Sequence, residues 1–354
     1  MGISNLKKFI RDNYKHIIHP LNLSYFSSEK ISIDISSFIY KYKASLQDKW
    51  LSGFVNLICN LREKNVHGVF VFDGKSPPEK EIEKNRRKNQ KKKNQDTVES
   101  LNFELDKFLK DGTISEGLRE INDKLESKSR RLLINKNEDD SINLDNIREY
   151  IDKKKKQIID ITNDDINCLK ELFDSLGITY IQAEGEAEAL CSYLCHIKET
   201  RAVFTEDTDV LAYGVEYYVY GLKNNEAECI ILSELLDETK FNNEEFLDYC
   251  ILCGTDFNDN IKGIGSKKAF ELIEKYRNIE NNIKYRNDFH IDYKTTREIF
   301  KTFGRLNLSK KYKVPYWESN IKIENIEKFL NKYNMKFLLQ QVEDAWKNPS
   351  FEIK

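Results

Sequence analysis

ITYIQAEGEAEALCSYL, residues 178–194, followed after a short polar break by AVFTEDTDVLAYG, residues 202–214, is the stretch around which the chain is organised. ITYIQ and AVF are β-branched and aromatic runs short enough for buried parallel strands, and between them Ala187, Leu190, Cys191 and Leu194 recur at helical spacing. The pattern predicts a β-α-β unit carrying four carboxylates, Glu186, Glu188, Asp207 and Asp209. In an open α/β sheet the polar site lies outside the carboxyl ends of the strands, where Asp207 and Asp209 follow AVFTE. If the chain stays extended after Phe204, those two point to the same side. On a helix body Glu186 and Glu188 would diverge by roughly 200°, so they converge only above a first turn. Crowded carboxylates repel and stay protonated unless cations neutralise them, so this density implies hard metal ions bound through oxygen. For any one residue a solvated helix start or polar loop is the simpler reading; for all four in one unit it is not.

The chain of 354 residues can bury a sizeable core, as one large domain or two small ones. A net charge of -2 does not announce a nucleic-acid binder, but a net value averages acidic and basic regions. Seven cysteines scattered through apolar segments read as reduced thiols of an intracellular protein. Cys250 and Cys253 form a CxxC without a second pair, which argues against zinc. With no signal peptide or membrane span, and Leu6 where a myristoylation signal has Ser or Thr, a soluble protein is expected.

MGISNLKKFI opens the chain with Ile3, Leu6 and Ile10 on one helical face. ISIDISSFIY supplies a strand ending in Asp34, then helical spacing from Phe38 to about Lys64; GVFVFDG (68–74) supplies another strand, delivering Asp73. A lone Asp after a strand is commonly a turn former or cap, and repetition shifts that balance. Beyond GKSPP, Lys80, Lys84, Arg87 and Lys91 form one basic helical stripe, suited to holding a phosphodiester that carboxylates alone would repel. Residues 94–157 are rich in Lys, Glu, Asp, Asn and Ser, and read as a partly helical, mobile insertion outside the core. An amphipathic helix occupies 163–176. EYYVYGL and AECIIL read as paired strands, and FLDYCILCG as a buried helix ahead of Asp256. In GIGSKKAFELIEKY (263–276), Gly263 and Gly265 allow a turn whose N–H groups face outward before a helix, with Ser266, Lys267 and Lys268 beside it, a place for a phosphate oxygen.

The ordered set MGISNL, ISIDISSFIY, VFVFDGKSPPEK, EGEAEALC, TEDTDVLAYG, CILCGTDF and GIGSKKA resembles the flap endonuclease and XPG-type family of structure-specific 5′ nucleases, over almost the whole chain except about 94–157. The resemblance implies an α/β, PIN-like nuclease domain with a parallel-dominated central sheet flanked by helices, a helix-two-turn-helix element and a helical cap or arch insertion. The expected divisions are 1–93 and 158–254 for the nuclease domain, 94–157 for the cap, 255–346 for the helix-two-turn-helix and following helices, and 347–354 for a loose tail. Asp34, Asp73, Glu186, Glu188, Asp207, Asp209 and Asp256 match the family's metal-binding acids. This implies two Mg²⁺ ions, with Mn²⁺ as a substitute; Asp34, Asp73 and the glutamates lie nearer one ion, and Asp207, Asp209 and Asp256 nearer the other.

Lys80 and Arg87 match the family's catalytic basic pair, with Lys84 on the same stripe. Tyr40 matches an aromatic that stacks on the terminal base, with helix packing as the other reading, and Gly2 matches the N-terminus that approaches the site. Gly263 and Gly265 match the turn that binds duplex phosphates, often with K⁺. The implied activity is flap endonuclease with 5′ to 3′ exonuclease in replication, repair or recombination. The implied partner is DNA with a 5′ flap or a single-strand/duplex junction. Related alternatives are a gap, bubble or four-way-junction nuclease, or a DNA-binding scaffold with a decayed site. The segment from Asp73 to Glu186 is longer than in a flap endonuclease and far shorter than in the XPG branch. Gln340 and Gln341 lack the following residues of a sliding-clamp-binding box. A monomer is expected, nuclear in a eukaryote and cytoplasmic in a virus or prokaryote.

Overall fold

The computed structural model describes residues 2–130, 143–223, 226–258, 261–285, 291–317 and 321–347. It divides into two units, Met1–Glu81 with Ile161–Lys354, and Ile82–Asp160. The expected loose tail lies outside the described residues apart from Lys347.

The first unit is built on seven strands: β1 (Ile18–Asn22), β2 (Lys30–Asp34), β3 (His67–Phe72), β4 (Tyr180–Gln182), β5 (Ala202–Phe204), β6 (Tyr217–Lys223) and β7 (Glu226–Ile231). Their order across the sheet is β1-β7-β6-β5-β2-β3-β4. From β6 to β4 every neighbouring pair is parallel; β7 and β1 extend the β6 edge antiparallel. The two strands of the organising stretch, β4 and β5, are not neighbours, because β2 and β3 lie between them. β1, in the sequence IHPLN, was not expected: a proline inside a run argues against a central strand, and Pro20 is accommodated because β1 is at an edge.

Alternation along the strands sorts the core into two faces. In β3, Val69 and Val71 pack with the helices Leu6–Asn13, Ala187–His196 and Asn243–Cys253, while Phe70 and Phe72 pack with Trp50–Glu63, Asn163–Ser175 and Ile323–Lys332. With both faces covered, the parallel strands read as near-continuous apolar runs. The chain builds outward from β2 through β3 to β4, then returns to place β5 on the other side of β2. That reversal puts the topological switch point between β2 and β5, where Asp34 and the TEDTD loop emerge.

In the second unit, helices Glu81–Asp111, Glu116–Arg130 and Leu144–Lys155 carry a small core of their own: Val98, Leu101, Leu105, Leu118, Ile147 and Ile151. Its apolar residues are few, yet Val98, Leu101 and Leu105 stand at i, i+3 and i+7, which suffices for one buried stripe. Among the described residues no helix is long and apolar enough to cross a membrane.

Candidate metal centre

β2, β3, β4 and β5 each lead into an acid beyond the C-terminal edge of the sheet, by different local devices. Asp34 ends β2 and caps helix Ile35–Leu46, its Oδ1 accepting from the Ser36 backbone N–H at 3.0 Å. Its Oδ2 accepts from Thr205 Oγ1 at 2.7 Å, and Thr205 Oγ1 also accepts from the Asp207 N–H at 3.1 Å. One hydroxyl therefore locks the end of β2 to the end of β5. Asp73 follows β3; its Oδ1 accepts from the Ala187 N–H at 2.8 Å and its Oδ2 from Ser36 Oγ. Glu186 stands at the N-cap position of helix Ala187–His196 and Glu188 in its first turn, the one arrangement in which these two can face a common point. Asp207 Oδ1 accepts from the Asp209 N–H at 2.9 Å, closing the loop after β5. Asp256 comes from the turn after helix Asn243–Cys253, where Gly254 takes a φ of 96°.

Lys80 binds these segments together. Its ammonium lies 2.7 Å from Glu186, 3.0 Å from Glu188 and 3.4 Å from Asp256, and 5.0 Å from the Phe257 ring centroid. Lys80, Glu186, Glu188, Asp207, Asp209, Asp256 and Asp34 are all buried, whereas Asp73 lies at the exposed rim. One ligand oxygen each of Glu188, Asp207 and Asp209 lies within 4.8 Å of the others. Both oxygens of Asp209 are buried without a hydrogen-bond partner among the described residues.

The electrostatics follow from burial. Burial, then Asp73 and Glu188, push Asp34 well above the usual carboxylate range; burial and then Asp207 do the same to Asp209. Glu186 is pushed up to about 9 by burial and Glu188, and Asp207 to about 6 by the same two influences. For Glu188 burial acts upward too, but the Lys80 ammonium and hydrogen bonds outweigh it and hold the group below its ordinary value. Lys80 is the converse: burial would lower it, and Glu188, Glu186, Asp209 and Asp256 together drive it upward.

Gly2 lies against this centre with a φ of 83°, and a Cβ there would come to 2.1 Å from Asp207 Oδ1 and 2.8 Å from the Asp209 nitrogen. Both the conformation and the close approach require glycine. Glu206, between the paired acids in sequence, turns away to Lys7 and Lys41. Tyr40 is 42 % exposed on helix Ile35–Leu46. Gly263, Gly265, Lys267 and Lys268 are exposed, with Ser266 half-buried, at the start of helix Ser266–Tyr276. Gly263 has a φ of 79°; Gly265 is extended, with open space where a Cβ would stand. Lys84 and Arg87 belong to the second unit, where Glu83 accepts from both Arg86 and Arg87, at 2.5 and 2.7 Å.

Ser36, Thr205, Tyr213 and Phe257 were not singled out from the sequence. The first two orient carboxylates, and a hydroxyl two residues from an acid at a strand end was the available signal. Tyr213 is buried with Glu188, Glu186 and Asp209 as its electrostatic neighbours.

A parallel-dominated sheet with an acidic pocket at its switch point defines an α/β protein suited to cation-assisted chemistry. Residues 1–94 match the XPG N-terminal domain and residues 177–256 the XPG I-region. The chain is 33% identical over 357 residues to the probable RAD2-like endonuclease 076L of invertebrate iridescent virus 3, covering 93% of each. It is 26% identical to flap endonuclease 1 of Theileria parva, over 98% of this chain and 67% of that protein. The catalytic core of Rad2 in complex with a DNA substrate superimposes with a TM-score of 0.63 at 18% identity, covering 98% of this chain and 99% of that one, a likeness of fold. The chain belongs to the XPG/RAD2 family of structure-specific nucleases.

Proposed function

We propose that the chain hydrolyses DNA phosphodiesters at 5′ flaps or single-strand/duplex junctions, with 5′ to 3′ exonuclease activity, using two divalent metal ions, Mg²⁺ or Mn²⁺. The observation that carries this reading is the gathering of acids from the ends of β2, β3, β4 and β5 and from the Asp256 turn, with the oxygens of Asp209 buried and unpartnered. A buried carboxyl group without a hydrogen-bond partner is costly, and the donor set is all hard oxygen, which fits Mg²⁺. Asp34, Asp73, Glu186 and Glu188 would lie nearer one ion and Asp207, Asp209 and Asp256 nearer the other, with Glu188, clustered with Asp207 and Asp209, within reach of both. When bound, such ions supply an activated water and neutralise charge on both oxygens of an in-line displacement.

The protein's own groups do the rest. Thr205 and Ser36 fix the carboxylates of Asp34 and Asp73 before substrate arrives, so little reorganisation is needed. Lys80 carries positive charge in a dry pocket and serves the scissile phosphate as charge develops on it, with Arg87 as the second cation of the stripe. The P–O3′ bond breaks, leaving a 5′-phosphate on one product and a 3′-hydroxyl on the other. Lys84, Tyr40 and Gly2 would contact the DNA, and Gly263, Gly265, Ser266, Lys267 and Lys268 the duplex backbone, with K⁺ held by the turn. A flap is preferred over a four-way junction because a relative named a flap endonuclease aligns with nearly the whole chain.

End-labelled 5′-flap, nicked, bubble and junction DNA in Mg²⁺ test this. The flap should be cut best, and Asp207→Ala should abolish cutting. Full cleavage by that variant would overturn the metal assignment, and equal cutting of a closed bubble and a free flap would overturn the substrate preference.

A further inference from the structure

Phe303, Gly304 and Arg305 are three successive residues with positive φ, at 48°, 69° and 62°. A left-handed run with one glycine among three residues costs energy, so surrounding contacts must hold it. Phe303 is buried, its ring stacked on Tyr213 with centroids 6.0 Å apart and planes at 10°, and packed against Tyr193. At Gly304 a Cβ would come to 3.2 Å from that of Ala189. The kink therefore lies close against the helix at whose N-cap position Glu186 stands, and against the tyrosine behind the carboxylates.

What the kink delivers is Arg305. Its guanidinium lies 2.5 Å from Glu79 Oε1, and Glu79 immediately precedes Lys80 in the single 3-10 turn Pro78–Lys80. Five residues on, Lys310 lies 2.8 Å from Glu184, two residues before Glu186. The segment so fastened is continuous with Val314, whose carbonyl accepts from Lys30 Nζ at 2.7 Å, and with Trp317, whose Nε1 donates to the Gly68 carbonyl at 2.7 Å.

We propose that residues 303–310 form a positioning strap for the metal centre, and that Arg305, acting through Glu79, sets where the Lys80 ammonium sits. Its consequence for cleavage rests on the nuclease reading above; its geometry does not. An ion pair as exposed as this one, with Arg305 at 47% and Glu79 at 22%, adds little to global stability. The ion pair alone does not repay a left-handed arginine in stability, and orientation of the adjacent turn is what the pair provides. The other oxygen of Glu79 is buried without a hydrogen-bond partner among the described residues, so loss of Arg305 leaves a half-buried carboxylate with no cation and frees the turn to rotate.

The test uses the full chain. Metal-free protein is pulse-labelled with acetic anhydride and the acetylation rate of Lys80 is read by mass spectrometry. Single-turnover cleavage of a 5′-flap DNA in Mg²⁺ is measured in parallel. In Arg305→Ala, Lys80 should label about fivefold faster as its turn opens locally. Cleavage should slow about tenfold through misplacement, with DNA affinity and Tm nearly unchanged. Glu79→Gln should behave alike, and the double variant should add nothing. Lys332→Ala, which breaks an exposed ion pair with Glu171, is the control and should change neither reading. An unchanged Lys80 labelling rate in Arg305→Ala would overturn the proposal, as would a general rise in labelling of all lysines with a lowered Tm. If wild type cuts no DNA yet the Lys80 reading shifts, the nuclease assignment fails and the positioning role stands.

Discussion

Asp209→Asn should make the metal-free protein more stable while abolishing its response to Mg²⁺. Asp209 is fully buried, its oxygens have no hydrogen-bond partner among the described residues, and Asp207, Asp256 and Glu188 are like-charged neighbours. Leaving a buried acceptor unsatisfied costs roughly 1–3 kcal/mol, and an asparagine of the same shape is neutral without taking up a proton and can donate to the remaining carboxylates. Lys80 loses one attractive neighbour but keeps Glu186, Glu188 and Asp256 within 3.4 Å, so the net gain is taken as about 2 kcal/mol. With about 2.1 cal/mol/K per residue, 354 residues give an unfolding entropy near 0.7 kcal/mol/K, so the midpoint should rise by about 3 °C. Thermal unfolding in EDTA and in Mg²⁺ measures it. Wild type should be raised by Mg²⁺ through selective binding to the folded state, and the variant should not. An Asp209→Asn protein that melts below wild type in EDTA would refute the reasoning, because the carboxylate would then be a net stabilising element without metal.

Lys80→Ala should slow the chemical step by about 10²–10³-fold while changing DNA affinity little, as single-turnover rates and filter binding would show. In EDTA, stability should fall as pH rises. Glu186, raised to about 9, binds a proton in the folded state that the unfolded chain releases, so its contribution is complete below its ordinary 4.5 and is lost towards 9. Asp207 adds the same sign between 3.8 and about 6, and Glu186→Gln should flatten the alkaline decline in Tm. His67 has the opposite sign: burial, then Arg62 and Lys30, lower it to about 4, so its contribution is complete above 6.5 and is lost as pH falls through about 4; His67→Gln should reduce the acid loss. Trp317→Phe, which leaves the Gly68 carbonyl without its indole donor, should lower stability by about 1–3 kcal/mol in denaturant titration.

Strand and helix identity around the centre was legible because it is written in local period: GVFVF and AVF as buried runs, and Ala187, Leu190, Cys191 and Leu194 as a helical face. The acids were legible because each stands just past such a run, where backbone polarity and solvent access recur. β1 was hidden by Pro20, whose tolerance depends on an edge that only the neighbouring β7 defines. The second unit's core was hidden because six apolar residues spread over more than fifty positions leave a weak periodic signal.

By itself the chain determined which residues around the centre are strand, which are helix and which carboxylates follow them, since those depend on side-chain shape, backbone preference and spacing within a few residues. Tertiary structure alone decided that β2 and β3 separate β4 from β5, that Lys80 sits among Glu186, Glu188 and Asp256, and that Arg305 reaches Glu79. Those relations join residues up to 226 positions apart, and only the balance of burial and charge over the whole fold sets them.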